Sequence, residues 1–106
     1  MDITDGTATL DNTIIALNTD GTGGDAPPDN LYLDGSGTVS PASAYNLIGT
    51  GGGNSGLTNG SNGNQVGVAD PGLGTLANNG GPTETIALLA GSPAIEAGSN
   101  ALAVDK

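Results

Sequence analysis

The chain has 106 residues, enough for one small domain, and a formal net charge of −10, with 11 Asp and Glu set against one Lys and no Arg or His. So few cations exclude nucleic-acid binding, which needs Lys and Arg to displace counterions, and the same charge repels anionic membranes. With no Cys, disulfides, thiol catalysis and thiolate metal sites are excluded too, and no run approaches the roughly 20 apolar residues of a membrane span.

The first strand signal is Thr7 to Asn18, TATLDNTIIALN, rich in β-branched residues and broken once at Asp11-Asn12. Asn18 to Asn30 follows as an acidic loop with Gly pairs and Pro27-Pro28. Short strands are predicted at Leu31 to Leu33, closed by Asp34-Gly35, and around Tyr45 to Gly49. Gly51 to Asn64 is a low-complexity Gly/Asn/Ser loop interrupted only by Leu57. Gln65 to Ala69 reads as another short strand. Thr83 to Ala90, TETIALLA, is the most apolar stretch; it fits a strand or one to two helical turns before Gly91-Ser92-Pro93 stops it. Ala94 to Ala97 and Ala101 to Val104 complete the series. No charged-then-apolar signal peptide is present, so an export signal would lie outside this chain.

These runs predict an all-β chain with short strands and long Gly/Asn-rich loops. Two architectures fit. A sandwich calls for longer, evenly alternating strands and an aromatic core, whereas this chain has no Phe, no Trp and two Tyr. A parallel coil suits short aliphatic strands that end in Asn, as at Asn12, Asn18 and Asn46. Asn at a coil corner can hydrogen-bond to the next coil and tolerates left-handed backbone angles. The reading is therefore a solenoid. Residues 1–49 form β-helical coils carrying the acidic loop 18–30, residues 50–64 the Gly/Asn-rich loop, and residues 65–106 the C-terminal coils.

Two strings in the C-terminal third carry a family resemblance. They are Asp70-Pro71-Gly72-Leu73-Gly74-Thr75-Leu76-Ala77-Asn78-Asn79-Gly80-Gly81-Pro82-Thr83 and Leu88-Leu89-Ala90-Gly91-Ser92-Pro93-Ala94-Ile95-Glu96-Ala97-Gly98. Together they resemble the tail signature of bacterial choice-of-anchor surface proteins, and Asn46-Leu47-Ile48-Gly49 is similar to the run-in of that signature. The resemblance spans Tyr45 to Gly98. It implies a right-handed parallel β-helix of the pectin-lyase-like type, together with export to an extracellular or cell-surface setting. It implies no activity. In that family the tail continues into an Arg-containing closing segment. Here the sequence stops at Asp105-Lys106, which implies a truncated or processed form, or one closed by a partner.

The motif residues read physically as turns. Asn79-Gly80-Gly81-Pro82 joins permissive backbone to a fixed φ and makes a sharp reversal. Ser92, Pro93 and Gly98 bracket a tight corner in which Ile95 is expected to be the buried anchor.

Little catalytic chemistry is visible. Asn18-Thr19-Asp20 resembles a motif of the polygalacturonases, which hydrolyse glycosidic bonds with paired carboxylates. The adjacent Asp pair, the His and the Arg-Ile-Lys string of that site are missing. Asp20, Asp25 and Asp29 share one loop and are candidate calcium ligands, because hard cations collect several oxygens from flexible loops. Their spacing matches neither an EF-hand nor a Gly-Gly-x-Gly-x-Asp repeat, which favours a plain solvated acidic loop. No other cofactor is expected, and the chain reads as a non-enzyme.

The expected function is structural: a component of an extracellular or cell-surface assembly that associates head to tail with copies of itself through solenoid ends and forms filaments. Two alternatives stand beside it. One is a carbohydrate-binding or adhesive module contacting surface glycans. The other is a non-catalytic fragment of a polysaccharide-degrading β-helix enzyme.

Overall fold

The computed structural model of the chain describes residues 1–19, 29–51 and 55–103. The molecule is all-β. In chain order its strands are β1 (Asp2–Ile3), β2 (Thr7–Ala8), β3 (Ile14–Ile15), β4 (Tyr32–Leu33), β5 (Thr38–Val39), β6 (Leu47–Gly49), β7 (Gln65–Val68), β8 (Leu73–Ala77) and β9 (Thr85–Leu88). A 3₁₀ turn, Asn100–Leu102, lies near the end.

Up to β7 every pairing is parallel and follows chain order. β1 pairs with β4, β2 with β5, and β3 with β6, which in turn pairs with β7. An isolated parallel bridge, Asp11 to Ala44, fills the gap between the second and third pairs. The offset is similar in the first three pairs, with Thr7 and Thr38 lying 31 residues apart and Thr13 and Asn46 33 apart, and falls to 18 between Asn46 and Asn64 ahead of β6 and β7. β8 and β9 depart from this pattern and form an antiparallel hairpin.

The expected class is therefore correct, while the sheets are short, two- or three-stranded, and do not make up a solenoid. The C-terminal part differs most from the coils predicted for it. Its Asn79-Gly80-Gly81-Pro82 turn reverses the chain directly. Gly80 holds φ +103, and its N–H donates to Asn78 Oδ1 at 3.0 Å, so β9 returns beside β8. The Thr83 to Ala90 run resolves as strand, not helix, with β9 at Thr85–Leu88.

The core is small and aliphatic. Ile3, Leu10, Leu31 and Ile48 form it, with Ala8, Ile15, Leu33, Val39 and Val66 packed around them. Strand alternation explains the choice. Ile15, Ile48 and Val66 are register partners across β3, β6 and β7 and point inward together. Their neighbours Ile14, Leu47 and Gln65 point to the other face. The layers come close enough that Gly37 has no room for a side chain, because a Cβ there would collide with the Ile3 carbonyl.

Between these layers runs a ladder of buried Asn side chains. Asn46 donates from Nδ2 to Leu10 O at 2.6 Å and to Asn64 Oδ1 at 2.9 Å, while its Oδ1 accepts from Thr13 N–H at 3.0 Å. Asn64 Nδ2 donates to Ser43 O at 2.8 Å, and its Oδ1 also accepts from Asn46 N–H at 3.1 Å. A second rung joins Asn30 to Asn18: Asn30 Oδ1 accepts from the Asn18 N–H and side-chain amide, both at 3.0 Å. Asn30 Nδ2 in turn donates to Thr50 O. Among the described residues, every buried side-chain polar atom has a partner, as close packing of polar groups requires.

Candidate functional site

The acidic loop is the first place to look. Asp20 and Asp25 lie outside the described residues. Asp29 is half-buried, and its N–H donates to Asn18 O at 3.0 Å, closing the base of the loop. Among the described residues no three acidic or other metal-ligating side chains come together. Asp5 and Asp34 are both engaged in hydrogen bonds at turns. Asp5 Oδ1 accepts from Gly6 N–H and Ser36 Oγ, and Asp34 Oδ1 accepts from Gly35 N–H. In the Asn18-Thr19-Asp20 string, the Asn18 amide is committed to Asn30 and to Ala16 O.

The tail motif is better defined. Asn79 braces the hairpin turn by donating from Nδ2 to Thr85 O and Thr85 Oγ1, both at 3.0 Å. Gly81 and Pro82 are exposed at its tip. Ser92 is buried and ties the second string to the first, its Oγ donating to Pro71 O at 2.6 Å and accepting from Ala94 N–H at 3.2 Å. Gly72 packs flat against it, where a Cβ would sit 2.7 Å from Ser92 Cα.

The segment after Ser92 folds back onto the other face of β3, β6 and β7. Asn12 clamps it with a two-way pair: its Nδ2 donates to Ser99 O at 2.9 Å, and its Oδ1 accepts from Ser99 N–H at 2.7 Å. Gly98 lies against the same Asn12 amide. Gln65 Nε2 donates to Pro93 O at 2.8 Å.

Ile95 corrects the sequence reading. It is 46% exposed and anchors nothing. The corner is held by polar bonds from Ser92, Gln65 and Asn12, which leave its apolar side chain free to face water. Ile95→Asp is accordingly expected to change the unfolding free energy by no more than about 0.5 kcal/mol, as at other exposed positions. A melting curve shifted well beyond that would return Ile95 to the role of anchor.

A cleft of about 110 Å³ remains between this tail and the sheet, lined by Asn12, Thr13, Tyr45, Leu47, Gln65 and Ala94 among others. Tyr45 stands at its rim with a left-handed backbone, φ +57, and its ring covers Gly63. The polar groups around it are largely spent on structure, since Asn12 and Gln65 hold the tail. No carboxylate is among the residues that line the cleft. A second, larger cleft of about 190 Å³ lies at the far ends of β3, β6 and β7, between Leu17, Asn30, Gly49 and Val68.

Sequence reasoning missed Asn30 and Asn64, which the ladder depends on. A signal for them exists. Asn30-Leu31-Tyr32, Asn46-Leu47-Ile48 and Asn64-Gln65-Val66 each place Asn just ahead of a strand. Compared with known proteins, the chain matches no family model, no curated protein and no solved structure. Among the described residues no helix is long and apolar enough to cross a membrane.

Proposed function

We propose that this chain is a non-catalytic scaffold element of an extracellular or cell-surface assembly, built on the logic of a right-handed parallel β-helix. The observation that carries this reading is the ordered parallel succession of β1, β2 and β3 onto β4, β5 and β6, and of β6 onto β7. Offsets of 31 and 33 residues followed by one of 18, with Asn rungs between layers, suit stacked coils that bury an interior too thin to fold alone. The strands β4 and β5 have no neighbour on their outer side among the described residues. They are the edges through which another copy would extend the stack head to tail, and a repeated contact of that kind does not close. The tail resemblance favours the surface setting, and the acidic composition suits a soluble exterior.

The test is electron microscopy of the purified chain together with light scattering across concentration. Rods that lengthen with concentration are expected. Particles that never exceed a compact dimer would remove the head-to-tail reading.

A further inference from the structure

Among the described strands, β9 is the one edge that carries none of the usual protections against pairing. Natural edge strands are shortened, bulged, charged or interrupted by Pro. Strands β1 to β5 have two residues each. β7 is broken by Gly67, which holds φ +78 where the register with β6 shifts. β8 carries the extra residue at its own shift opposite β9. β9 is regular, four residues long, and reads Thr85-Ile86-Ala87-Leu88, with no charge, Gly or Pro. All four residues are exposed.

The direction of its free groups follows from one bond. Leu89 N–H donates to Gly72 O at 2.7 Å. Main-chain groups alternate sides along a strand, so Thr85, Ala87 and Leu89 face β8 while Ile86 and Leu88 present N–H and C=O outward. Their side chains lie on one face with Leu76, the register partner of Ile86. That face is open: Ile86 is 53% and Leu76 61% exposed. A two-stranded hairpin is marginal alone and gains from added strands.

We propose that β9 pairs antiparallel with β9 of a second copy, about a two-fold axis through Ala87, forming a continuous four-stranded sheet β8-β9-β9-β8. The segment is self-complementary in this register. Ile86 and Leu88 of one copy exchange main-chain bonds with Leu88 and Ile86 of the other, and the two apolar faces join on the same side of the sheet.

Charge selects this occupant and orientation. Between Asp70 and Glu96 the sequence holds one charged residue, Glu84, in a chain of net charge −10. A parallel in-register partner would set Glu84 on Glu84 at about 4.8 Å, the spacing of adjacent strands. The antiparallel two-fold places each Glu84 opposite Ala90 of the other copy. The two carboxylates then stand about 20 Å apart, well beyond the roughly 8 Å screening length at physiological salt. The contact closes on itself, so it produces dimers, and it uses a surface separate from the strand edges invoked for head-to-tail stacking.

The test exploits the absence of Cys from the chain. In the proposed register the two Ala87 residues face each other as a non-hydrogen-bonded pair, about 4.5 Å between Cα atoms, which a disulfide can span. Ala87→Cys is therefore expected to oxidise to a covalent dimer. Leu89→Cys, on the same face and also exposed, is expected to stay largely uncoupled because its equivalent atoms lie about 14 Å apart. Sedimentation of the unmodified chain at low concentration should show a dimer as the first associated species, ahead of any rods, and Leu88→Lys should remove that dimer while leaving the circular dichroism spectrum unchanged. Equal coupling of the two cysteine variants, or a chain monomeric at every concentration, would overturn the proposal. Rods formed by an otherwise unmodified chain whose Ala87→Cys variant fails to cross-link would sink this pairing and leave head-to-tail stacking standing.

Discussion

Asn46→Ala is expected to lower the melting temperature by about 15 °C, an effect larger than its single amide would suggest. The substitution removes three side-chain bonds at once, to Leu10 O, Asn64 Oδ1 and Thr13 N–H. Each net bond contributes about 1 kcal/mol, and a donor left without a partner costs more. Leu10 O keeps a second donor, Ala44 N–H at 3.0 Å, so Thr13 N–H is the group stranded. The sum is about 3 kcal/mol, and each kcal/mol shifts the midpoint of a domain this size by about 4–8 °C. Thermal denaturation by circular dichroism reads this directly. Asn64→Ala should cost a similar amount, and the double variant less than the two together, because both single changes break the same Asn46–Asn64 bond. Strict additivity in that cycle would mean the ladder is not a connected network. Asn78→Ala, at an exposed turn where only Gly80 N–H loses its acceptor, serves as the near-neutral comparison.

The ladder also shows where sequence stopped being informative. The strand segments were legible: Leu31 to Leu33, Tyr45 to Gly49 and Gln65 to Ala69 each contain a strand, because short aliphatic runs between Gly, Asn and Pro have few other options. Asn as a bridging corner residue was legible in kind as well, and Asn46 and Asn18 bond across layers as their chemistry allows. Asn64 was hidden inside a Gly/Asn/Ser loop. Its bond to Asn46 spans 18 residues, where the preceding layer needs 33. With intervals that unequal there is no period to detect, since loop length varies while the pairing stays regular.

Burial was the least legible property. Thr83 to Ala90 is the most apolar stretch of the sequence, yet every residue from Asn78 to Gly91 is exposed. Hydrophobicity states what a segment gains from cover and not whether the chain supplies it. Ile95 failed for the opposite reason: a corner that looks as if it needs an apolar anchor is fixed by Ser92, Gln65 and Asn12. The antiparallel return of β9 was legible only as a reversal at Asn79-Gly80-Gly81-Pro82. A turn dictates that the chain comes back, while pairing with β8 follows from the regular run on either side.

Ile48→Ala is expected to remove about 2–5 kcal/mol, the range for truncating a fully buried aliphatic side chain. Against the roughly 5–15 kcal/mol of a typical domain, that can take the chain from folded to largely unfolded at body temperature. Ile48 is 0% exposed. It sits in β6, the central strand of the three-stranded sheet, with Ile15 and Val66 as register partners. Among the described residues, Ile3, Leu10 and Leu31 share the buried cluster, so few neighbours can collapse into the space left behind. Urea denaturation should show a lower midpoint with an unchanged slope, since the folded surface stays the same. Leu47, its neighbour, provides the contrast that locates the effect. Leu47 is also buried but points to the opposite face, into the cleft beneath the clamped tail. Leu47→Ala should therefore loosen that tail, raising hydrogen exchange at the Ser99 amide that Asn12 now holds. If both variants instead lowered global stability equally and left Ser99 protected, β6 would be flanked by one undivided core, and the tail would belong to the same cooperative unit as the parallel strands.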